Sequence, residues 1–411
     1  MPAAPPLYSV VPFIAMLLAI ALGPLALPRW WEAHRHKLTV SVALGLPVLG
    51  FYLVRQPSVL AATAEDYVSF IVLLAGLYVI SGGILLRGDL EATPVTNTAF
   101  LALGAALASC IGTTGASLLL IRPLLQTNRE RQRVTHTVIF FIFLVSNIGG
   151  LLTPLGDPPL FLGYLLGVPF SWTFRLWPPW TMMVGTLLVV YFCWDSVQHA
   201  RETTGALRRD RQQIEPLHVR GISNVVLLAG VAAAVALLRA PVREVLIVAL
   251  GAISLWRTPH AIRRANGFTA SPMVEVAVLF FGIFLTMIPA LELLRLRGHE
   301  LGVREPWQFF WASGLLSSFL DNAPTYLAFV ALGQGLGSTN EVIGMPHRIL
   351  AAISVGSVVM GANSYIGNAP NFMVKAIAEG AGIRMPSFAG YMVYSAGILI
   401  PLFVVLTYLF F

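Results

Sequence analysis

Two aspartates, Asp157 and Asp321, stand inside apolar runs, next to residues that carry amide and hydroxyl oxygens. Asp157 ends the segment Ser146-Asn147-Ile148-Gly149-Gly150 … Thr153-Pro154-Leu155-Gly156 and precedes Pro158 and Pro159. Asp321 opens Asp321-Asn322-Ala323-Pro324-Thr325. Two further groups are Thr113-Thr114-Gly115-Ala116-Ser117 and the run from Gly361 to Asn371, which holds Asn363, Ser364 and Asn368. A carboxylate within hydrocarbon is costly and marks a function by default. Surrounded by neutral oxygens it suits a hard cation such as Na⁺, and burial raises its affinity for a proton when the cation leaves. Asp321 ranks first as the cation- and proton-binding group, with Asn322 and Thr325 completing its surroundings. Asp157 ranks second, and either joins the site or caps a helix that starts at Pro158. Ser146, Asn147, Asn363, Ser364 and Asn368 are further candidates, as are the hydroxyls of Thr113, Thr114 and Ser117. Na⁺ is placed at Asp321, Asn363 and Asn147. Gly115, Gly149, Gly150 and Gly361 are assigned to close helix packing.

These residues must be positioned by membrane-spanning elements. Of 411 residues, 57% are apolar and 11% are charged, against roughly 25% charged in a soluble domain. The apolar residues come in runs of about twenty, the length that crosses a bilayer as a helix. A soluble enzyme, a disordered chain and a disulfide-built module are excluded. So is a lipid-facing barrel, whose strands would alternate in character. The fold class is therefore an all-α polytopic membrane protein. Spans are expected near 8–27, 38–54, 67–86, 135–168, 177–196, 221–239, 243–256, 273–293, 346–378 and 387–411. The runs 135–168 and 346–378 carry Gly and Pro at their middles and must be broken helices, because Pro removes an amide donor and strains the preceding turn. The stretches 97–126 and 307–333 are too long for one span and too short for two.

The net charge of +7 is best explained by Lys and Arg retained in cytoplasmic loops, not by nucleic-acid binding. Arg29, Arg35 and Lys37, then Arg129, Arg131 and Arg133, then the linker 201–220, then Arg257, Arg263 and Arg264 all fall on one side only if 97–126 and 307–333 enter and leave the membrane on the same face. Both are expected to be re-entrant hairpins, the first from inside and the second from outside. Residues 1–200 and 221–411 then each hold three spans, a hairpin, a broken helix and a final span, in opposite orientations, with both termini extracytoplasmic. Val42-Ala43-Leu44-Gly45 recurs as Val248-Ala249-Leu250-Gly251. Thr113 aligns with Asp321, and Gly156-Asp157-Pro158-Pro159 aligns with Gly367-Asn368-Ala369-Pro370. An inverted repeat with broken helices points to a transporter with its site at the midplane. His136 is expected to face a loop, Lys375 to reach the cytoplasmic face, and Glu275 and Glu292 to snorkel or cap.

Two inverted halves, each with a re-entrant hairpin and a broken helix bearing Ser-Asn or Asn-Ser beside Gly and Pro, resemble the ion transporter superfamily. That group includes NhaD-type sodium/proton antiporters, arsenite permeases and citrate and dicarboxylate carriers. The resemblance covers nearly the whole chain. It implies an elevator-type mechanism, a homodimer, and a location in the inner membrane of a prokaryote. It assigns Asn147 with the Thr113–Ser117 tip to one half-site, and Asn363 with the Asp321–Thr325 tip to the other.

The expected function is sodium/proton antiport, with Na⁺ and H⁺ as substrates, the lipid bilayer as surroundings and no further cofactor. The alternative is a sodium-coupled carrier of an organic carboxylate or oxyanion such as citrate or arsenite, which two carboxylates near the site would disfavour. An intramembrane aspartyl protease is a poor match. Leu155-Gly156-Asp157 and Pro289-Ala290-Leu291 echo its signatures, but Pro154 replaces the required Gly.

Overall fold

The computed structural model describes residues 5–337 and 341–411. Residues 1–4 and 338–340, which fall within the ranges assigned to the two halves, lie outside the described residues. Sixteen principal helices build the fold, eight in each half. The first half holds α1 (Val11–Ala26), α2 (His34–Arg55), α3 (Pro57–Ser81), α4 (Pro94–Ile111), α5 (Thr113–Thr127), α6 (Thr135–Leu144), α7 (Pro158–Leu165) and α8 (Trp177–Ala200). The second holds α9 (Ser223–Leu237), α10 (Val242–Arg257), α11 (Ser271–Arg297), α12 (Pro306–Ser317), α13 (Asn322–Gln334), α14 (His347–Val359), α15 (Ala369–Gly380) and α16 (Phe388–Phe410). Among the described residues, eight helical stretches are long and apolar enough to cross a membrane, and the chain is a predominantly helical polytopic membrane protein.

Helix starts follow the proline and cap chemistry of the sequence. Pro57, Pro94, Pro158 and Pro306 each open a helix, where a missing amide costs nothing. Thr93 caps α4, accepting from the Thr96 amide, and Glu305 with Gln308 forms a capping box on α12. The third helix starts at Pro57, ten residues before the expected 67, and runs through Glu65 and Asp66. It stops at Ser81, because Gly82 and Gly83 follow and Leu85–Asp89 is a strand, β1.

That strand is a small addition to an otherwise helical chain. It pairs antiparallel with β2, Glu215–Arg220, with Leu85 opposite Arg220 and Leu86 opposite Val219. The linker 201–220 is accordingly not an irregular tether. It forms a helix at Thr204–Gln212, and then β2. The linker is tied down where Asp210 accepts from the Ala92 amide (2.9 Å) and Arg211 pairs with Glu91 (2.8 Å).

The helices pack in two sets. In one, α2 lies on α11 and α3 on α10; each pairing is the other with the halves exchanged. Lys37 of α2, buried, pairs with Glu275 of α11 at 2.5 Å, and Tyr52 of α2 donates to Glu292 of α11 at 2.8 Å. Both α11 acids therefore join helices instead of snorkelling. In the other set α5 packs on α15 and α7 on α13, again a reciprocal pair. The sets touch through α3 against α5 and α7, and through α11 against α13.

Candidate functional site

Both broken runs fold alike. After α6 the chain makes a 3-10 turn at Ile148–Leu152, then an irregular bend, then α7. After α14 it makes a 3-10 turn at Met360–Asn363, a bend, then α15. In the first bend a side chain at Gly156 would strike the Gly150 carbonyl. In the second, a side chain at Gly367 would stand 2.5 Å from the Gly361 carbonyl oxygen. Gly150 and Gly156 thus match Gly361 and Gly367, all four selected for close backbone approach. By this register Asp157 and Asn368 are equivalent, each at the N-cap of the second half-helix. Asn147 and Asn363 are not: Asn147 precedes its Gly150, whereas Asn363 follows its Gly361. The expected pairing of these two asparagines as equivalent half-sites is corrected on that ground.

The hairpin tips need a correction of one residue. Gly112, at φ +84°, is the N-cap of α5, and Asp321 is the N-cap of α13. Thr113 is therefore equivalent to Asn322, not to Asp321. Each tip is stapled to the break of its own half by serines. Ser109 Oγ donates to Gly149 O at 2.5 Å, and Thr153 donates to Ser109 O. Ser318 Oγ donates to Met360 O at 3.1 Å, and Ser364 Oγ to Ser318 O at 2.5 Å.

The four equivalent positions meet at one carboxylate. Asp157, 1% exposed, accepts from Thr113 Oγ1 at 2.9 Å, from Asn368 Nδ2 at 3.2 Å and from Asn322 Nδ2. Its side chain makes no capping bond to α7. Asp321 does the capping instead: its Oδ1 accepts from the Ala323 amide at 3.0 Å, and it is half-buried. Thr325 closes the same turn by donating to Asp321 O at 2.9 Å. The capping bond considered for Asp157 is thus made by Asp321, and Asp157 is the acid that gathers side chains from other elements. The starts of α5, α7, α13 and α15 converge on Asp157, and each helix start carries a partial positive charge that favours an anion there.

A second layer of amides closes the site. Asn147 Nδ2 donates to Ile142 O (2.8 Å) and Asn371 Oδ1 (2.7 Å). Asn371 Nδ2 donates to Gly361 O and Ser364 O, each at 2.9 Å. Asn368 Nδ2 also reaches Ser146 O (3.1 Å) and Asn147 Oδ1 (3.3 Å). These bonds satisfy carbonyls that the helix breaks release, as a buried backbone requires. Asn371 was not among the expected site residues; its place three residues beyond Asn368, on the first turn of α15, was the available signal. Ser117 and Ser146 share a hydroxyl contact at 2.9 Å. Thr114 is half-buried and makes no side-chain hydrogen bond among the described residues. Asn363 stands apart from this network. It donates to Ser318 Oγ at 2.9 Å, and its buried Oδ1 has no partner among the described residues. The expected Na⁺ set of Asp321, Asn363 and Asn147 is therefore not joined by direct contacts: one caps a helix, one faces Ser318 and one faces Asn371.

Other ionisable groups are accounted for by packing. Lys375 pairs with Glu379 at 2.8 Å, away from Asp157. His136 is buried, not loop-facing. It shares Asp195 (2.8 Å) with Arg131 (2.6 Å) and stacks on Tyr191 and Trp194. Asn97 adds a third donor to that carboxylate at 3.2 Å.

The model of one protein family, described as "Putative citrate transport", matches residues 3–411. No curated protein matches the chain. The match spans nearly the whole chain and so includes every element of the cluster just described.

Proposed function

We propose, for a chain that belongs to this citrate-transport family and so to the wider ion transporter superfamily, that its own activity is exchange of Na⁺ for H⁺ at Asp157. The observation that carries this reading is the environment of that carboxylate: three neutral donors, from both halves, and no cationic partner among the described residues. A bare carboxylate is held by the amide N–H groups of Asn322 and Asn368. Rotating either amide by a half-turn presents its carbonyl oxygen instead. The same residues then serve as ligands to Na⁺, with the Thr113 hydroxyl and one carboxylate oxygen completing the set. A proton on Asp157 also neutralises it, so proton and cation exclude each other. Asn363 Oδ1, buried and unpartnered, is a further acceptor for a cation.

The reciprocal packing of α2 with α11 and α3 with α10, and of α5 with α15 and α7 with α13, supports two halves of inverted topology. In this arrangement α4–α5 and α12–α13 are re-entrant hairpins from inside and outside. The basic loops are cytoplasmic and both termini extracytoplasmic, as for an inner-membrane protein of a prokaryote. The set holding both hairpins and both breaks would slide against the α1–α3 and α9–α11 set, as an elevator, in a homodimer.

One observation favours the second reading, a sodium-coupled carrier of citrate or another oxyanion. Four helix starts converging on one point would suit a substrate carboxylate as well as they suit Asp157. Asp157 already occupies that place, and a second anion beside it would be repelled. Everted vesicles with a pH-sensitive dye separate the two. Antiport predicts a dye response to Na⁺ with no anion present and no uptake of labelled citrate. Citrate accumulation dependent on a Na⁺ gradient, without a response to Na⁺ alone, would replace antiport by the carrier reading.

A further inference from the structure

A cavity of about 470 Å³ opens between the two helix sets. Thr63 and Asp66 of α3 and Glu292 and Arg295 of α11 form one wall, and Leu162 of α7 and Leu327 of α13 the other. Its volume lies within the range of small-molecule pockets. The second wall leads to the site. Leu162 is five residues beyond Asp157 on α7 and Leu327 five beyond Asn322 on α13, about 7 Å along each helix. Asp157 and Asn322 are themselves hydrogen-bonded, so the cavity follows two helices that converge on the carboxylate.

The charges of the cavity are unequally engaged. Glu292 accepts from Tyr52 at 2.8 Å, and Arg295 donates to Gln334 at 2.9 Å. Arg243 of the neighbouring helix α10 is committed to Glu244 and lies over the rings of Phe161 and Tyr164. Asp66 is half-buried on the cavity wall and makes no hydrogen bond or ion pair among the described residues. The side chains facing the cavity carry two carboxylates against one guanidinium, with one carboxylate uncommitted.

We propose that this cavity is the extracytoplasmic approach to Asp157, and that Asp66 makes it selective for monovalent cations over anions. The site beyond it is the one assigned above, and the sidedness rests on the orientation given there; the charge preference rests on the cavity alone. An entering cation meets an unpaired carboxylate in a partly apolar, poorly hydrated passage, where a charge acts more strongly than in bulk water. An entering citrate meets the same charge as a barrier.

The test uses full-length protein with Cys110 and Cys193 replaced by Ser and one cysteine introduced by Thr63→Cys. Right-side-out vesicles are treated with a cationic and an anionic methanethiosulfonate of similar size. Each rate is normalised to that of the reagent with free cysteine. A normalised cation-to-anion ratio of about ten or more is expected, falling at least threefold with Asp66→Asn. In the dye assay Asp66→Asn should raise the apparent KM for Na⁺ several-fold while leaving kcat near the parental value. A ratio of one or below, or one unchanged by Asp66→Asn, overturns the selectivity. Labelling from the cytoplasmic face alone overturns the access route. Loss of the antiport reading itself would show differently, as no dye response to Na⁺ in the parental protein with the labelling ratio intact, and exchange that survives Asp157→Asn would displace only the assignment to Asp157.

Discussion

Asp157 and Asp321 are chemically identical, and both stand just before a helix start. What separates them is direction. The Asp321 side chain turns onto its own helix and takes the Ala323 amide, whereas Asp157 turns away from α7 to three side chains from other elements. Nothing in Asp-Pro-Pro or Asp-Asn-Ala-Pro fixes that choice, because both carry Pro within the first turn. The residue types gathered around Asp157 were legible in the sequence; which of the two acids they gather around was not. The consequence is testable by substitution. Asp321→Asn should retain Na⁺/H⁺ exchange near the parental rate, since Asn caps as well as Asp does. Asp321→Ala should cost about 1 kcal/mol of stability, read as a lowered Tm in detergent. A second residue-scale prediction concerns Asp195, buried between Arg131 and His136. Asp195→Ala leaves the buried Arg131 guanidinium with Glu202, 3.9 Å away, as its remaining carboxylate, and should cost about 3 kcal/mol, measured as a loss of folded protein on heating. A Tm unchanged by this variant would mean that water reaches Arg131 and that the pair is not sealed.

At the scale of elements, hydropathy with Gly and Pro located the stretches that matter. The expected hairpins 97–126 and 307–333 correspond to helix pairs that begin at Pro94 and Pro306 and end at Thr127 and Gln334. The breaks fall where the glycines and prolines are. What stayed hidden is register within each break. Asn147 and Asn363 look alike in a Ser-Asn or Asn-Ser context, yet the matching glycine pairs put Asn147 before the first glycine and Asn363 after it. The strands β1 and β2 were hidden for another reason: their pairing joins residues far apart in sequence, and the alternation in Leu217-His218-Val219-Arg220 is only four residues long. The glycine pairs give the element-scale prediction. Gly156→Ala and Gly367→Ala should each sharply reduce folded yield, because the added methyl group meets a backbone carbonyl that cannot move aside. Gly185→Ala, where nothing lies within 4 Å of the added carbon, is the matched control and should behave like the parent. Equal yields for all three would remove the close-approach explanation of the bends.

For the whole molecule, the basic loops and the odd number of spans per half carry the expectation of two inverted halves. The reciprocal packing of helices across those halves agrees with such a plan. Topology follows directly: the linker helix Thr204–Gln212 should be cytoplasmic. A cysteine placed by Gln212→Cys, in the same cysteine-free background, should resist an impermeant thiol reagent in intact cells and react in everted vesicles. Labelling in intact cells would invert the orientation and move the outer cavity to the cytoplasmic face. The two similar bends differ where it counts chemically, since Asp157 faces Asn368, which holds the matching position, so that one negative charge is shared between them. The most direct measurement is therefore the dye response to Na⁺ in everted vesicles across pH 6 to 9, for Asp157→Asn beside Asp321→Asn, at matched membrane insertion. Antiport centred on Asp157 predicts no Na⁺-driven proton movement in the first variant at any pH, and a near-parental response in the second. Exchange that persists in Asp157→Asn, or that is lost in Asp321→Asn alone, would contradict it.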